Sequence, residues 1–290
     1  MNLTSPTNIK ELLTKYETRP AKGLGQNFLI DKDVLNKIIE TASLKPTDTV
    51  LEIGPGIGTL TQELAKNIKR VIAVEKDKTM CAILVETLKD YKNIEVLNAD
   101  ILKFDNFKLI SNFKFQISNY KVIANIPYYI TSPVIRKFLE AENKPEFMVL
   151  MVQKEVAQRI CSKPPNMSLL SVSVQFYAEP KIISYVSKNC FWPAPKVDSA
   201  IIKITPSKLR GPTPQFASLF FKIVRAGFSQ PRKQLAGNLL ALSRAEGSKS
   251  LKLSKKEVEE WLKKNGVNPT QRAETLSIED WKNLSNNFPV

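Results

Sequence analysis

The sequence predicts an open α/β sheet domain followed by a smaller all-helical domain, and three observations carry that prediction. Thr49 to Ile53 is a β-branched apolar run that passes into Gly54-Pro55-Gly56-Ile57-Gly58 and then into a helical pattern from Thr59 through Asn67. Strand, glycine turn and helix make the first unit of a nucleotide-binding sheet. Further apolar runs of strand length then alternate with helical segments. From Pro206 onward strand signals stop, and only helical patterns remain, at 216–226, 232–242, 255–264 and 278–284. The expected division is therefore a sheet domain at 1–206 and a helical domain at 207–290.

Composition narrows the chemistry. With 43% apolar and 24% charged residues in 290, the chain reads as globular, and no apolar run approaches the span of a bilayer. The N-terminal stretch carries Lys10, Glu11, Lys15, Glu17 and Arg19 and lacks the apolar core of a signal peptide, so a cytoplasmic location away from membranes is expected. The three cysteines, Cys81, Cys161 and Cys190, are odd in number and far apart, which argues against a disulfide framework or thiolate metal cluster. Each is expected as a buried small hydrophobe. The chain has no histidine, which excludes a Ser-His-Asp triad, a Cys-His pair and every histidine-bearing zinc site. No metal is expected, and the chemistry must proceed without imidazole. The net charge of +15 suggests a polyanionic partner, with an ordinary lysine-rich surface as the alternative.

In chain order, Lys22-Gly23-Leu24-Gly25-Gln26-Asn27-Phe28-Leu29 leads into a helix opened by Asp31 and reads either as a lid over a polar ligand or as a linker. Thr59 stands where the dinucleotide pattern G-x-G-x-x-G needs glycine. The spacing in Glu52-Ile53-Gly54-Pro55-Gly56-Ile57-Gly58 is instead the one associated with S-adenosylmethionine (SAM) enzymes. Val71 to Val74 is a second strand ending in Glu75, an acid positioned to accept from both ribose hydroxyls or to cap the next helix. Ile94 to Leu97 is a third, and Asp100 at its mouth can accept from an adenine amino group or simply close a turn. The segment 103–119 shows no clear periodicity. Tyr120 to Ala124 is a fourth strand, followed by a helix over Thr131 to Ala141. Phe147 to Val152 reads as a strand buried on both faces that delivers Gln153-Lys154-Glu155-Val156 to the same edge. Leu169 to Tyr177 reads as helix, and Lys181 to Ser187 and Ser199 to Thr205 as two more strands. Their connector, Phe191-Trp192-Pro193-Ala194-Pro195-Lys196, is either a stiff exposed loop lying along RNA or a packed aromatic loop. Residues 207–290 hold 15 Lys plus Arg against 7 Asp plus Glu, over half the surplus charge of the chain. This reads as a basic helical domain that grips phosphates, with Arg225, Arg232, Lys233 and Arg244 as candidate contacts, against a solvated surface charge as the more ordinary role of any one of them.

The chain is organised around Asn125-Ile126-Pro127-Tyr128, which begins where the fourth strand ends. In open α/β sheets that edge is where ligands bind. These residue types suit activation of a nucleobase amino group, a poor nucleophile because its lone pair is delocalised into the ring. Accepting both of its N–H bonds draws the lone pair back onto nitrogen and aims it. The Asn125 side-chain oxygen can accept one, and the Ile126 carbonyl, held in place by Pro127, the other. Tyr128 can stack on the base.

Gly25-Gln26-Asn27-Phe28-Leu29, Glu52 to Gly58, Glu75, Asn98-Ala99-Asp100, Asn125 to Tyr128, Gln153 to Val156 and Pro193-Ala194-Pro195-Lys196-Val197-Asp198-Ser199-Ala200, in that order, closely resemble the ribosomal RNA adenine dimethyltransferases of the KsgA type. The resemblance implies a Rossmann-like class I SAM-dependent methyltransferase domain with a seven-stranded mixed sheet, joined to a small C-terminal helical domain. It implies transfer of methyl groups from SAM to N6 of two adjacent adenosines near the 3′ end of 16S ribosomal RNA in the small ribosomal subunit, by a monomer. It places Asn27 and Leu29 at the methionine portion of SAM, Gly54 at the glycine loop, Glu75 at the ribose, Asp100 at the adenine and Asn125 between cofactor and target base. The chain departs from the family pattern at Asn166 to Ser171 and at Pro231, both in stretches expected to face RNA. The rival readings are a 23S ribosomal RNA methyltransferase of the antibiotic-resistance type and a non-catalytic ribosome assembly factor.

Overall fold

The structure is a computed structural model describing residues 1–103, 119–207, 213–240 and 253–289. They form two compact units, Met1–Ala157 with Glu179–Pro206, and Gln158–Ala178 with Ser207–Val290.

In the first unit the glycine turn joins β2 (Thr49–Ile53) to α3 (Thr59–Ala65), after β1 (Phe28–Leu29) and two helices, α1 (Pro6–Lys15) and α2 (Lys32–Ala42). β3 (Arg70–Glu75), α4 (Lys78–Thr87), β4 (Ile94–Asn98) and β5 (Lys121–Asn125) follow, then α5 (Thr131–Leu139), β6 (Met148–Gln153) and the start of α6 (Lys154–Ile160), whose last three residues fall in the second unit. β7 (Ala178–Val186), β8 (Phe191–Trp192) and β9 (Ser199–Pro206) complete it. The main sheet has seven strands in the order β4-β3-β2-β5-β6-β9-β7. The five strands from β4 to β6 run parallel to their neighbours, and β9 is antiparallel to β6, so the sheet is mixed. Val122, Ile123 and Ala124 of β5 and Met148 to Val152 of β6 are buried, because helices cover both faces of a parallel sheet. β5 runs one residue beyond the apolar stretch read from sequence, and Asn125 pairs with Met151 as its last member. At the other end, the nearly buried Lys121 ammonium is paired with Asp48.

Two features were not expected from sequence. Helix α1 buries Ile9, Leu12 and Leu13 in a cluster with Phe28, Ile57, Met80 and Ile83, bracing the glycine turn from the N-terminal side. β1 and β8 pair as a separate ribbon, Phe28 with Trp192 and Leu29 with Phe191. Phe191 is buried, so the connector is a packed aromatic loop here. The cysteines, expected buried, are each half-buried.

The second unit holds α7 (Leu169–Gln175), α8 (Pro214–Gly227), α9 (Leu235–Leu239), α10 (Lys255–Lys264) and α11 (Ile278–Asn286) around a core that includes Phe220, Trp261 and Trp281. Residues 158–178, read from sequence as part of the first domain, pack in this unit. Their apolar side chains explain it: Met167, Val172 and Phe176 lie in the helical core, and the Phe176 ring stacks on Phe220 at 4.0 Å between centroids. The helix expected over 232–242 begins only at Leu235, and Leu242 and Arg244 lie outside the described residues. No helix among the described residues is long and apolar enough to cross a membrane.

Close packing in this core gives a stability prediction. A Cβ at Gly227 would stand 2.4 Å from Cη2 of Trp281, whose ring is fully buried in the helical core. Gly227→Ala is expected to destabilise the protein by about 1–3 kcal/mol, the usual cost of overpacking, partly offset by the helix preference of alanine. Thermal unfolding checks it, with a lower Tm expected.

Candidate active site

At the carboxyl ends of β2, β3 and β5 lies a cleft of about 1090 Å³, part of it open to solvent. Every residue that the sequence reading assigned to cofactor or target base lines it: Asn27, Leu29, Gly54, Glu75, Asp100, Asn125, Ile126, Pro127 and Tyr128.

The amide of Asn125 is oriented by a partner 98 positions away in the chain. Its Nδ2 donates to the backbone carbonyl of Asn27 at 3.3 Å. A carbonyl accepts only from the nitrogen end of the amide, so Oδ1 is left facing elsewhere, and no described residue donates to it. Asn27 is itself fixed, its side chain donating to the Gly25 carbonyl at 3.1 Å. The Ile126 N–H donates to the Met151 carbonyl at 3.3 Å, which extends the sheet ladder one step past the strand and anchors Ile126 immediately before the Ile126–Pro127 peptide that carries its carbonyl. Pro127 is wedged between two glycines. A Cβ at Gly54 would meet its Cδ at 3.3 Å, and one at Gly25 its Cβ at 3.6 Å. Gly54 also has φ +66°, a conformation that other residues adopt only at a cost. Tyr128 is half-buried, and its hydroxyl is 2.7 Å from Ser199 Oγ.

Two carboxylates at the far side of the cleft are held by different means. Glu75 is 7% exposed and accepts from the Gly56 N–H at 3.1 Å and the Asp77 N–H at 2.8 Å. Burial raises its pKa, while those two N–H groups pull the other way. Asp100 accepts from the Leu102 N–H at 3.0 Å and pairs with Lys76 Nζ at 3.1 Å. Burial acts to raise its carboxyl, but Lys76 and the Leu102 N–H together hold it below the usual carboxylate range.

A third carboxylate, Glu52, was read from sequence only as part of the glycine motif. It is 1% exposed, lines the cleft, and its Oε2 has no hydrogen-bond partner among the described residues. Burial pushes its pKa up to about 8, with the neighbouring Thr61 hydroxyl opposing the shift and the charge of Glu75 adding to it. The signal was present in the sequence as a carboxylate in the middle of a strand buried on both faces, a place that demands a compensating partner.

These features fit SAM. Glu52 Oε2 is a buried polar atom with no partner among the described residues, and the glycine turn after β2, with Gly54 at φ +66° and Gly56 at φ +60°, borders the same cleft. Glu75 ends β3 and Asp100 follows the end of the adjacent β4, so two carboxylates line one cleft at neighbouring strand ends. When bound, SAM supplies an electrophilic methyl group on a sulfonium. Among the described residues no group of three or more Cys, Asp or Glu is placed to hold a metal ion.

Comparison with known proteins settles the family. Residues 18–289 match the family model described as ribosomal RNA adenine dimethylase. The chain belongs to that family. The Ribosomal RNA small subunit methyltransferase A of Dehalococcoides mccartyi (strain 195) is 46% identical over 95% of this chain and 90% of that protein. The protein of the same name from Alkaliphilus oremlandii is 43% identical over 99% of this chain and 98% of its own length. Among solved structures, the 23S rRNA methyltransferase ErmE superposes with a TM-score of 0.70 at 29% identity, covering 90% of this chain and 99% of that one. A dimethyladenosine transferase from Plasmodium falciparum gives 0.70 at 28% identity, covering 88% and 94%. Membership of the family carries the class I methyltransferase fold and SAM as methyl donor.

Glu52 yields a pH prediction for the cofactor-free protein. Its folded pKa, about 8, lies above the ordinary 4.5, so the stability linked to its neutral form is fully present below pH 4.5 and is lost as pH rises through 8. Within that window the loss approaches about 1.4 kcal/mol per pH unit. Glu52→Gln removes it. Urea unfolding at pH 5, 6, 7 and 8 should show wild type weakening relative to the variant at each step, and parallel curves would contradict the assignment.

Proposed function

We propose that the protein transfers methyl groups from SAM to N6 of two adjacent adenosines near the 3′ end of 16S ribosomal RNA in the small ribosomal subunit. The observation that carries this reading is the Asn27–Asn125 hydrogen bond. It leaves a neutral amide oxygen free at the strand end where the Ile126 carbonyl is also held, the pair of acceptors an exocyclic amine needs. In this reading Asn125 Oδ1 and the Ile126 carbonyl each accept one N–H from the adenine amine, Pro127 keeps the peptide rigid, and Tyr128 stacks on the ring. Rate enhancement comes from positioning and oriented dipoles. The methylated nitrogen becomes acidic enough to lose its proton to water, so no imidazole is required. Asn27 and Leu29 border the methionine portion of SAM, Gly54 admits it closely, Glu75 takes the ribose hydroxyls and Asp100 the adenine amino group, without a metal. For Asp100 to do so, Lys76 must share or release its carboxylate.

We assign RNA gripping to the second unit, where Arg225, Arg232 and Lys233 are exposed, and place the protein in the cytoplasm as a monomer. The fold does not separate small-subunit from large-subunit substrates, since the 23S enzyme and the dimethyladenosine transferase superpose equally well. The names of the relatives at 46% and 43% identity favour the small subunit. An oriented Asn125 argues against a purely non-catalytic assembly factor, which has no use for it. Purified unmethylated small and large subunits, offered separately with labelled SAM, test the reading. Label should enter the small-subunit RNA, on particles or on naked RNA, and incorporation into the large subunit alone would refute it.

A further inference from the structure

We infer that Ser199 is a positioning residue that clamps the Tyr128 ring and so supports the second of the two methyl transfers; the inference rests on the function proposed above. Tyr128 and Ser199 are 71 positions apart, yet their hydroxyls meet at 2.7 Å. Ser199 is fully buried, opens β9, and pairs with Gln153 at the carboxyl end of β6. Its neighbour Asp198 is pinned from both sides, its carbonyl accepting from the Lys154 N–H at 3.0 Å and its carboxylate from the Lys188 N–H at 3.1 Å. The hydroxyl that meets Tyr128 is therefore mounted on rigid backbone. At its other end the tyrosine is held by the turn in which the Ile130 N–H donates to the Pro127 carbonyl at 3.1 Å. Holding Cα and the phenol oxygen fixes the long axis of the ring, and because a phenol hydroxyl bonds best in the plane of its own ring, the Ser199 contact also disfavours rotation about that axis. The next residue, Tyr129, lines the same cleft but is 52% exposed. Tyr128 is thus the aromatic built for orientation.

The two transfers do not depend equally on that plane. Unmodified adenine presents two N–H groups, one for Asn125 Oδ1 and one for the Ile126 carbonyl. N6-methyladenine has a single N–H, so one acceptor is lost and the stacked ring must supply more of the orientation. Loosening the clamp should therefore slow the second transfer more than the first.

The test compares wild type, Ser199→Ala, Tyr128→Phe, the double variant and Ser199→Thr on purified unmethylated small subunits. Mono- and dimethyladenosine are quantified by mass spectrometry, and SAM affinity is measured separately. Ser199→Ala and Tyr128→Phe should each raise the mono-to-dimethyl ratio about three- to tenfold, the worth of one hydrogen bond, with SAM affinity unchanged. The double variant should match the singles, and Ser199→Thr should restore the wild-type ratio. If Ser199→Ala lowers Tm, Tyr128→Phe reads the same bond without touching β9. A wild-type ratio in both single variants, or additive effects in the double, overturns the inference alone. Wild type that transfers nothing to the particle overturns the proposed function with it.

Discussion

Replacing Asn125 with alanine should lower kcat by about 10²–10³, the usual cost of removing one preorganised polar group that acts on the reacting centre. The lost oxygen is the acceptor that both activates and aims the amine, so the effect should fall on kcat rather than on KM for RNA. SAM affinity should move by a few-fold at most, because Asn125 is one of many residues lining the cleft. Asn125→Gln should not rescue. The extra methylene carries the amide away from the Asn27 carbonyl that holds it at 3.3 Å, and an oxygen misplaced by about 1 Å forfeits much of the gain from positioning. Single-turnover methylation of small subunits, with calorimetric SAM binding alongside, separates the two quantities.

The second large effect is expected at Glu75. Glu75→Ala should weaken SAM binding by about 10²-fold, since two hydrogen bonds from ribose hydroxyls to a charged acceptor contribute a net of about 1.5 kcal/mol each at the lower end of the usual range. The same carboxylate holds the Gly56 and Asp77 N–H groups, so part of the loss will come from a relaxed glycine turn. Glu75→Gln keeps the shape and one acceptor, and should lie between, near tenfold. Titration calorimetry gives both affinities, and a saturating-SAM assay should recover most of kcat in Glu75→Gln if the residue serves binding alone.

Much of the sheet was legible because its strands are buried on both faces, so Val122 to Ala124 and Met148 to Val152 read as continuous apolar runs. The cleft residues were legible because they sit directly after those runs, where chain order alone brings Gly54, Glu75, Asp100 and Asn125 to one edge. Pairings between distant segments were not legible. β1 and β8 are two residues each, too short for a periodic signal, and the Asn27–Asn125 and Tyr128–Ser199 bonds join segments 98 and 71 positions apart. Helix α1 carried its signal in Ile9, Leu12 and Leu13, at the i, i+3, i+4 spacing of a helix face, but over a single repeat, too short to stand out. The helical core claimed residues 158–178 through Val172 and Phe176, whose spacing marks a helix face but not which unit it joins.

The account turns on two oxygens sharing one nitrogen. A crystal structure of the protein with S-adenosylhomocysteine and adenosine in the cleft measures this directly. The expected result is N6 within about 3 Å of both Asn125 Oδ1 and the Ile126 carbonyl, ordinary hydrogen-bonding distance. An adenine whose N6 lies beyond reach of either oxygen, or which meets the nitrogen end of the Asn125 amide instead, would contradict it.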